Sequence, residues 1–270
     1  MSSHLMLIFG MALCSFGYAQ NHATRIDGTI DADIAMPDEA VPPGQVDEAA
    51  LVEVRQYLKV IGNPHWTGMQ GTGTLSQGGQ ESLNVILAVL GDNRFRLDVT
   101  TSQGVRSIRI SDAIGVVQQD NGTQQTLPAA TAKNGLVAFP PLLSSTLPDS
   151  KTTLLDHGLI QIEGKSLHRI TLERVVLPGD PTPEKNNISV LDLYFDPDSH
   201  LLIKSAERVQ LDSSDRARYL RVTTYADYRQ VDGMLIPYQY IQTLNGQKQW
   251  TLNLTEVNCR PALDASYFLF

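Results

Sequence analysis

Over the last third of the chain, apolar and polar residues alternate with period two. Trp250, Leu252 and Leu254 alternate with Thr251, Asn253 and Thr255, the signature of a strand with one apolar and one wet face. Three such runs, Tyr219 to Tyr228, Met234 to Thr243 and Lys248 to Asn258, are joined by Asp232-Gly233 and Asn245-Gly246. Those pairs reach the positive φ that a two-residue hairpin loop demands. Upstream, Phe95, Leu97 and Val99 alternate with Arg94, Arg96 and Asp98, and Ile108 and Ile110 alternate with Ser107 and Arg109. Gln70 to Leu75 and Ile114 to Gln118 are further strand candidates. Ser82 to Leu90 is apolar at both parities, which predicts a strand covered on both sides. Short strands at this spacing make a meander.

One helix precedes them. Ala50, Leu51, Val54, Leu58 and Ile61 fall on one face, Asp47 stands where an N-cap belongs, and Gly62 followed by Asn63-Pro64 ends the run. A single apolar stripe predicts packing against something flat, and the sheet is the natural partner. Residues 124–150 interrupt the strands. Leu127 to Ala130 reads as a short helical start, and the apolar stretch Leu136 to Leu143 carries Pro140 and Pro141, which a central strand would not tolerate. A buried crossover or a lid are the two readings. Strands resume at Leu159 to Ile162, Leu167 to Val176, Ile188 to Phe195 and Leu201 to Gln210.

The N-terminus changes the picture of where the chain works. Leu5 to Phe16 is apolar and too short for a comfortable membrane span, and Gly17-Tyr18-Ala19 supplies small residues for a cut after Ala19. Residues 1–19 are therefore expected to be an export signal, with a buried N-terminal helix as the alternative. Residues 20–46 are acidic and rich in breakers and read as a linker, leaving 47–270 as the folded domain. The net charge of −8 without a basic run argues against a nucleic-acid partner, because neutralising phosphates needs clustered Lys and Arg. Removal of Cys14 with the signal leaves Cys259 alone, which can form neither an intramolecular disulfide nor a metal site.

The search for chemistry finds no nucleophile elbow, no phosphate loop and no paired histidines at helical spacing. Asp156-His157-Gly158 reads as a turn, and Asp196-Pro197-Asp198-Ser199-His200 as turn chemistry more than a metal loop. His168 reads as a satisfied histidine. No catalytic residue, cofactor or metal is expected. What remains is apolar surface. Val85, Leu87, Val89, Phe95, Leu97, Tyr238, Tyr240, Trp250, Leu252 and Leu254 form apolar strand faces. They are either an ordinary core or the lining of a concave ligand site with tyrosines and a tryptophan at its mouth. A slip of one residue in register would turn all of them outward.

Taken in order, the motifs resemble the LolA/LolB-like family of periplasmic lipoprotein carriers and lipoprotein-sorting proteins. They are the export signal, the helix at 47–61, Gly71-Thr72-Gly73, the turn and strand from Gly91 to Asp98, Ile110 to Ala113 before Asp120-Asn121-Gly122, Asp232 to Pro237, and Leu263 to Phe268. The resemblance implies a mainly β (α+β) fold. A curved antiparallel sheet would form an incomplete β-barrel, with the N-terminal helix and short helices or a loop covering its concave face. It also implies a non-enzymatic binder of lipid or acylated lipoprotein, with Leu136, Phe139, Leu142 and Leu143 in a plug or lid. An envelope sensor or protein-interaction module, meeting an envelope protein partner through the sheet face or edge, stands as the alternative. An outer-membrane barrel, suggested by the terminal Tyr267 to Phe270, is a third reading.

Overall fold

The computed structural model describes residues 44–62, 67–77, 81–91, 93–111, 114–127, 132, 134, 152–175, 188–210 and 218–269. The export signal, most of the linker and the lid residues Leu136, Phe139, Leu142 and Leu143 lie outside the described residues.

Helix α1 (Glu48–Ile61) comes first, followed by β1 (Gly68–Ser76), β2 (Leu83–Leu90), β3 (Arg94–Thr101), β4 (Gly104–Ser111), β5 (Ile114–Gln118) and β6 (Gln124–Leu127). The second half holds β7 (Thr152–Ile162), β8 (Lys165–Val175), β9 (Ile188–Phe195), β10 (Leu202–Gln210), β11 (Arg218–Val231), β12 (Met234–Leu244) and β13 (Gln247–Asn258). A single 3-10 turn follows at Ala265–Phe268.

All thirteen strands form one sheet in the order β6-β5-β4-β3-β2-β1-β13-β12-β11-β10-β9-β8-β7. Its architecture is two meanders. The first runs outward from β1 to β6, the chain passes to the opposite edge at β7, and the second runs back to β13, which pairs antiparallel with β1. The sheet is curved and remains open: an incomplete barrel with β6 and β7 as its edges. Register shifts at Thr72/Gly73, Gln242/Thr243, Asp156/Leu159 and Leu202/Lys204 mark bulges, which bend strands and increase twist. Gly73 sits at one of them because a Cβ there would lie 2.1 Å from the Asn253 carbonyl oxygen.

The described residues depart from the sequence reading in four places. Asp156 to Gly158 is a bulge inside a long β7, with Gly158 at φ +67°, rather than a turn before a short strand. Gln124 to Leu127 continues the first meander as β6, because its polar residues need no buried face at an edge. Ile86 is 40% exposed, so β2 is covered on one side at that position. Asp47 stands at the N-cap position without a side-chain cap; its carboxylate instead accepts the Asp156 backbone N–H at 2.9 Å. Just before it, the Asp47 N–H donates to Leu154 and the Leu154 N–H to Gln45, tying the start of α1 to the edge strand β7.

The outer face of β3 and β4 is polar and well bonded. Asp98 accepts from Arg96 at 2.9 Å and from Ser107 at 2.6 Å. Arg96 also donates to the Tyr267 carbonyl at 2.8 Å and lies 4.2 Å from the centre of its ring. Arg109 donates to the Leu269 carbonyl at 2.9 Å. The terminal aromatics are thereby docked on the sheet, with Phe268 fully buried.

Candidate functional site: the inner face of the open barrel

Period-two alternation selects one residue in two from each strand for the inner face. Val85, Leu87, Val89, Phe95, Leu97, Tyr238, Tyr240, Leu252 and Leu254 are all buried in one apolar cluster, and Trp250 packs against it half-buried. The cross-strand pairs Leu87–Leu97, Val89–Phe95 and Tyr240–Leu252 put them in register. The cluster continues through Met69, Ile110, Ile170, Leu193, Phe195 and Ile236, so the inner face is apolar across nearly the whole sheet.

Helix α1 seats on one end of that face. Ala50, Leu51, Val54, Tyr57 and Ile61 are buried, and the Tyr57 ring lies 5.5 Å from that of Phe195. Gly62 closes the helix at φ +82°, where a Cβ would lie 2.4 Å from the Gly233 carbonyl oxygen of the β11–β12 turn. Tyr57, Tyr225, Tyr228 and Tyr240 gather beneath α1, and burial pushes each of their hydroxyls above the ordinary tyrosine range. Tyr225 and Tyr240 meet edge to face at 5.8 Å, and Tyr225 shares a 2.7 Å hydrogen bond with Ser205. Tyr240 thus lies deep in the face and not at a mouth.

A second contact fixes α1. Glu53 is only 6% exposed on the buried side of the helix. It accepts from His200 Nδ1 at 3.0 Å, and His168 Nδ1 lies 3.5 Å away. His168 Nε2 donates to Asp156 at 2.5 Å. Burial works against the Asp156 carboxylate, yet the His168 and Gly158 hydrogen bonds and the nearby His157 hold it below its ordinary range. Asp196 is committed to its own turn, accepting from the Ser199 N–H at 2.7 Å and the Asp198 N–H at 3.1 Å. Among the described residues no group of three or more His, Cys, Asp or Glu side chains could hold a metal.

The other end of the inner face is polar. Arg106, Thr152, Arg174, Ser189, Glu207, Arg221, Thr223 and Gln242 are all buried. They share strand parity with Ile108, Leu154, Leu172, Leu191, Ser205, Tyr225 and Tyr240. Glu207 accepts from Arg221 Nε at 3.0 Å and Nη2 at 2.5 Å. Its other oxygen accepts from Asn134 Nδ2 at 2.6 Å, and Ser189 donates to Asn134 Oδ1. Arg106 pairs with Asp120 at 2.9 Å, and that hydrogen bond holds Asp120 below its ordinary range. Phe195, against α1, and Ser189 are six residues apart on β9, about 20 Å at the strand rise of roughly 3.3 Å. The face is therefore a trough with an apolar, helix-capped end and a polar end.

Sequence reasoning missed Glu53, Tyr57 and the polar end. The signal for the first two was present: Glu53 and Tyr57 follow Ala50 at helical spacing on the buried stripe. For the polar end, polarity pointed the wrong way. Leu220 and Val222 join Ile162, Leu167, Tyr194 and Ala206 in an apolar cluster of their own, while Arg221 and Thr223 share the parity of Tyr225 on the inner face.

An open antiparallel barrel with a helix seated in it is a recognisable class of fold. No protein-family model matches the sequence, and no curated protein matches it. Solved structures do. An outer membrane lipoprotein-sorting protein domain from Vibrio parahaemolyticus superposes with a TM-score of 0.54 at 12% identity, covering 82% of this chain and 97% of that one. A LolA superfamily protein from Nitrosomonas europaea superposes with a TM-score of 0.50 at 11% identity, covering 82% of this chain and 97% of that one. The chain has the LolA-like open-barrel fold.

Proposed function

We propose that this chain is an exported, periplasmic binder or carrier of acyl chains, those of lipids or of lipid-modified proteins, held without catalysis on the inner face of the open barrel. On this reading residues 1–19 are the cleaved signal, 20–46 a linker and 47–270 the binding domain. Val85, Leu87, Val89, Phe95, Leu97, Tyr238, Tyr240, Trp250, Leu252 and Leu254 line the ligand, and Leu136, Phe139, Leu142 and Leu143 cover it. The observation that carries the reading is the continuous apolar inner face, capped by one helix at one end and polar at the other. An amphiphile has the same division. The lipoprotein-sorting domain of the same fold supports it. Each methylene enclosed would contribute roughly 0.8 kcal/mol. Where α1 or the cover must give way, its own apolar contacts are lost, so affinity is a difference and cargo can be released.

The charged outer face of β3 and β4, with Arg96, Asp98 and Arg109 bonded to the C-terminal segment, argues against an outer-membrane barrel, whose lipid-facing band is apolar.

The test is native mass spectrometry of the processed protein purified without detergent, with organic extraction of whatever travels with it. A stoichiometric lipid or acylated peptide is the expected result. A protein that stays ligand-free when offered phospholipid and lipopeptide would end the proposal.

A further inference from the structure

We propose that the outer face of β2–β5, together with the C-terminal segment docked on it, is a docking surface for an anionic lipid bilayer. The surface lies on the opposite side of the sheet from the inner face and does not depend on what that face holds. Leu87, Leu97, Ile108 and Val117 belong to the inner cluster, so the alternate residues of the same strands point outward. Among these, Arg96 pairs across the strands with Arg109, Ser111 with both Arg94 and Ile114, Ile86 with Asp98, and Val105 with Thr100. Six large apolar side chains are exposed among the described residues, and four of them gather here: Ile86 at 40%, Val105 at 44%, Ile114 at 59% and Leu269 at 56%. A single exposed apolar residue needs no explanation, whereas a set on one face marks an interaction surface.

The charge of this face is opposite to that of the chain. The chain carries −8, yet the outward positions of β2–β5 hold Arg94, Arg96 and Arg109 against Asp98 alone. Asp98 is already engaged by Arg96 and Ser107. Neither Arg94 nor Arg109 forms an ion pair among the described residues. Arg109 stands directly opposite Arg96, and like charges so placed are destabilising; an anion resting on both relieves the repulsion. The acidic remainder of the chain is repelled by the same anionic surface, so charge alone orients the molecule. The exposed aliphatics stand singly, with the arginines between them. A protein partner is met by anchors clustered at the centre of a patch. A bilayer surface takes scattered aliphatic side chains at headgroup depth and sets phosphates beside guanidinium groups. The half-buried Tyr267 ring, 4.2 Å from the Arg96 guanidinium carbon, has the apolar body and polar tip that suit the same depth.

The experiment is cosedimentation of the processed protein with vesicles of phosphatidylethanolamine and phosphatidylglycerol, against vesicles of phosphatidylcholine alone. The expected result is binding to the anionic vesicles that weakens as salt is raised, and none to the zwitterionic ones. Arg94→Gln and Arg109→Gln each lower vesicle affinity about fivefold, as for one cation at an anionic surface, and Ile114→Ser lowers it as well. Arg109 also holds the Leu269 carbonyl. If Arg109→Gln loosens the C-terminal segment, Arg94→Gln and Ile114→Ser, which leave that bond in place, decide the matter. Palmitate affinity stays unchanged in all three variants. Equal binding to both kinds of vesicle, binding to neither, or anionic binding untouched by Arg94→Gln and Ile114→Ser overturns the proposal. So does a palmitate affinity that falls in step with vesicle affinity, which would place the effect on the inner face.

Discussion

Tyr57→Phe should make the ligand-free protein more stable. Tyr57 exposes none of its surface and stacks obliquely on Phe195 at 5.5 Å. Its hydroxyl finds no hydrogen-bond partner among the described residues. A buried hydroxyl without a partner costs about 1–3 kcal/mol relative to water, whereas the ring contacts survive removal of one oxygen. The expected gain is about 1 kcal/mol, which for a domain of this size raises Tm by roughly 2–4 °C. Lipid-stripped wild type and variant should be compared by urea unfolding, followed through tryptophan fluorescence, and by calorimetry. The midpoint should rise with the m-value unchanged, which assigns the effect to the native state. The same substitution strengthens the seat of α1. A ligand that had to displace α1 would therefore bind more weakly, by up to about tenfold per 1.4 kcal/mol. A variant of equal or lower stability would refute the reasoning, since it would mean that the hydroxyl is bonded in solution.

Gly73→Ala should cost about 3 kcal/mol or more, because the new Cβ would lie 2.1 Å from the Asn253 carbonyl oxygen and 2.8 Å from Leu254 Cα. Gly122→Ala, at φ +83° with open space around it, should cost only about 1–2 kcal/mol; urea midpoints that reverse this order would sink the bulge argument. Cys259 is 2% exposed and burial, aided by the Asp232 carboxylate, pushes its thiol up to about 11. At pH 8 a chromogenic thiol reagent should label it slowly in the native protein and stoichiometrically in urea, and rapid native labelling would contradict the burial. Asp120 is held down by Arg106 and Asp196 by the Ser199 N–H, both from an ordinary value of 3.8. A depressed carboxylate contributes stability above its unfolded value that is lost as pH falls through the folded one. Thermal stability should therefore fall in two stages: modestly below about pH 6.5, because burial lowers His157 from its ordinary value of 6.5 and the unfolded chain takes up that proton first, and steeply below about pH 4 as the carboxylates protonate; a profile with no loss below pH 4 would refute the assignment.

Much of this fold can be read from alternation alone, because each strand buries one face and hairpin residues mark each end. The parity that put Val85, Leu87, Val89, Phe95 and Leu97 together also put Tyr240 opposite Leu252 and Leu252 opposite Leu75. Sequence alone starts β7 only after Asp156-His157-Gly158, because these residues carry turn chemistry, and a bulge uses the same residues as a turn. The β10–β11 region was harder for a deeper reason. Parity arguments assume that the apolar set faces the core. Around Leu220 and Val222 the apolar set lies in a separate cluster, and Glu207 and Arg221 take the inner positions. Only their pairing across strands, which no single-strand pattern contains, makes that arrangement tolerable.

That exception is also the best argument that the inner face is a site and not merely a core. Leu172 and Leu191 pair across β8 and β9, and the cross-strand pair of Glu207 and Arg221 follows on β10 and β11. Leucines therefore fit this level of the sheet. A buried ion pair is seldom more stable than apolar residues of similar volume, because desolvation of both charges offsets their attraction. Stability alone would favour continuing the leucine row. The same face carries the unpartnered Tyr57 hydroxyl and a Trp250 Nε1 without a partner among the described residues. Departures from the most stable solution are expected where a surface must also receive something else. On the inner face they accompany an apolar length and a polar end that match an amphiphile.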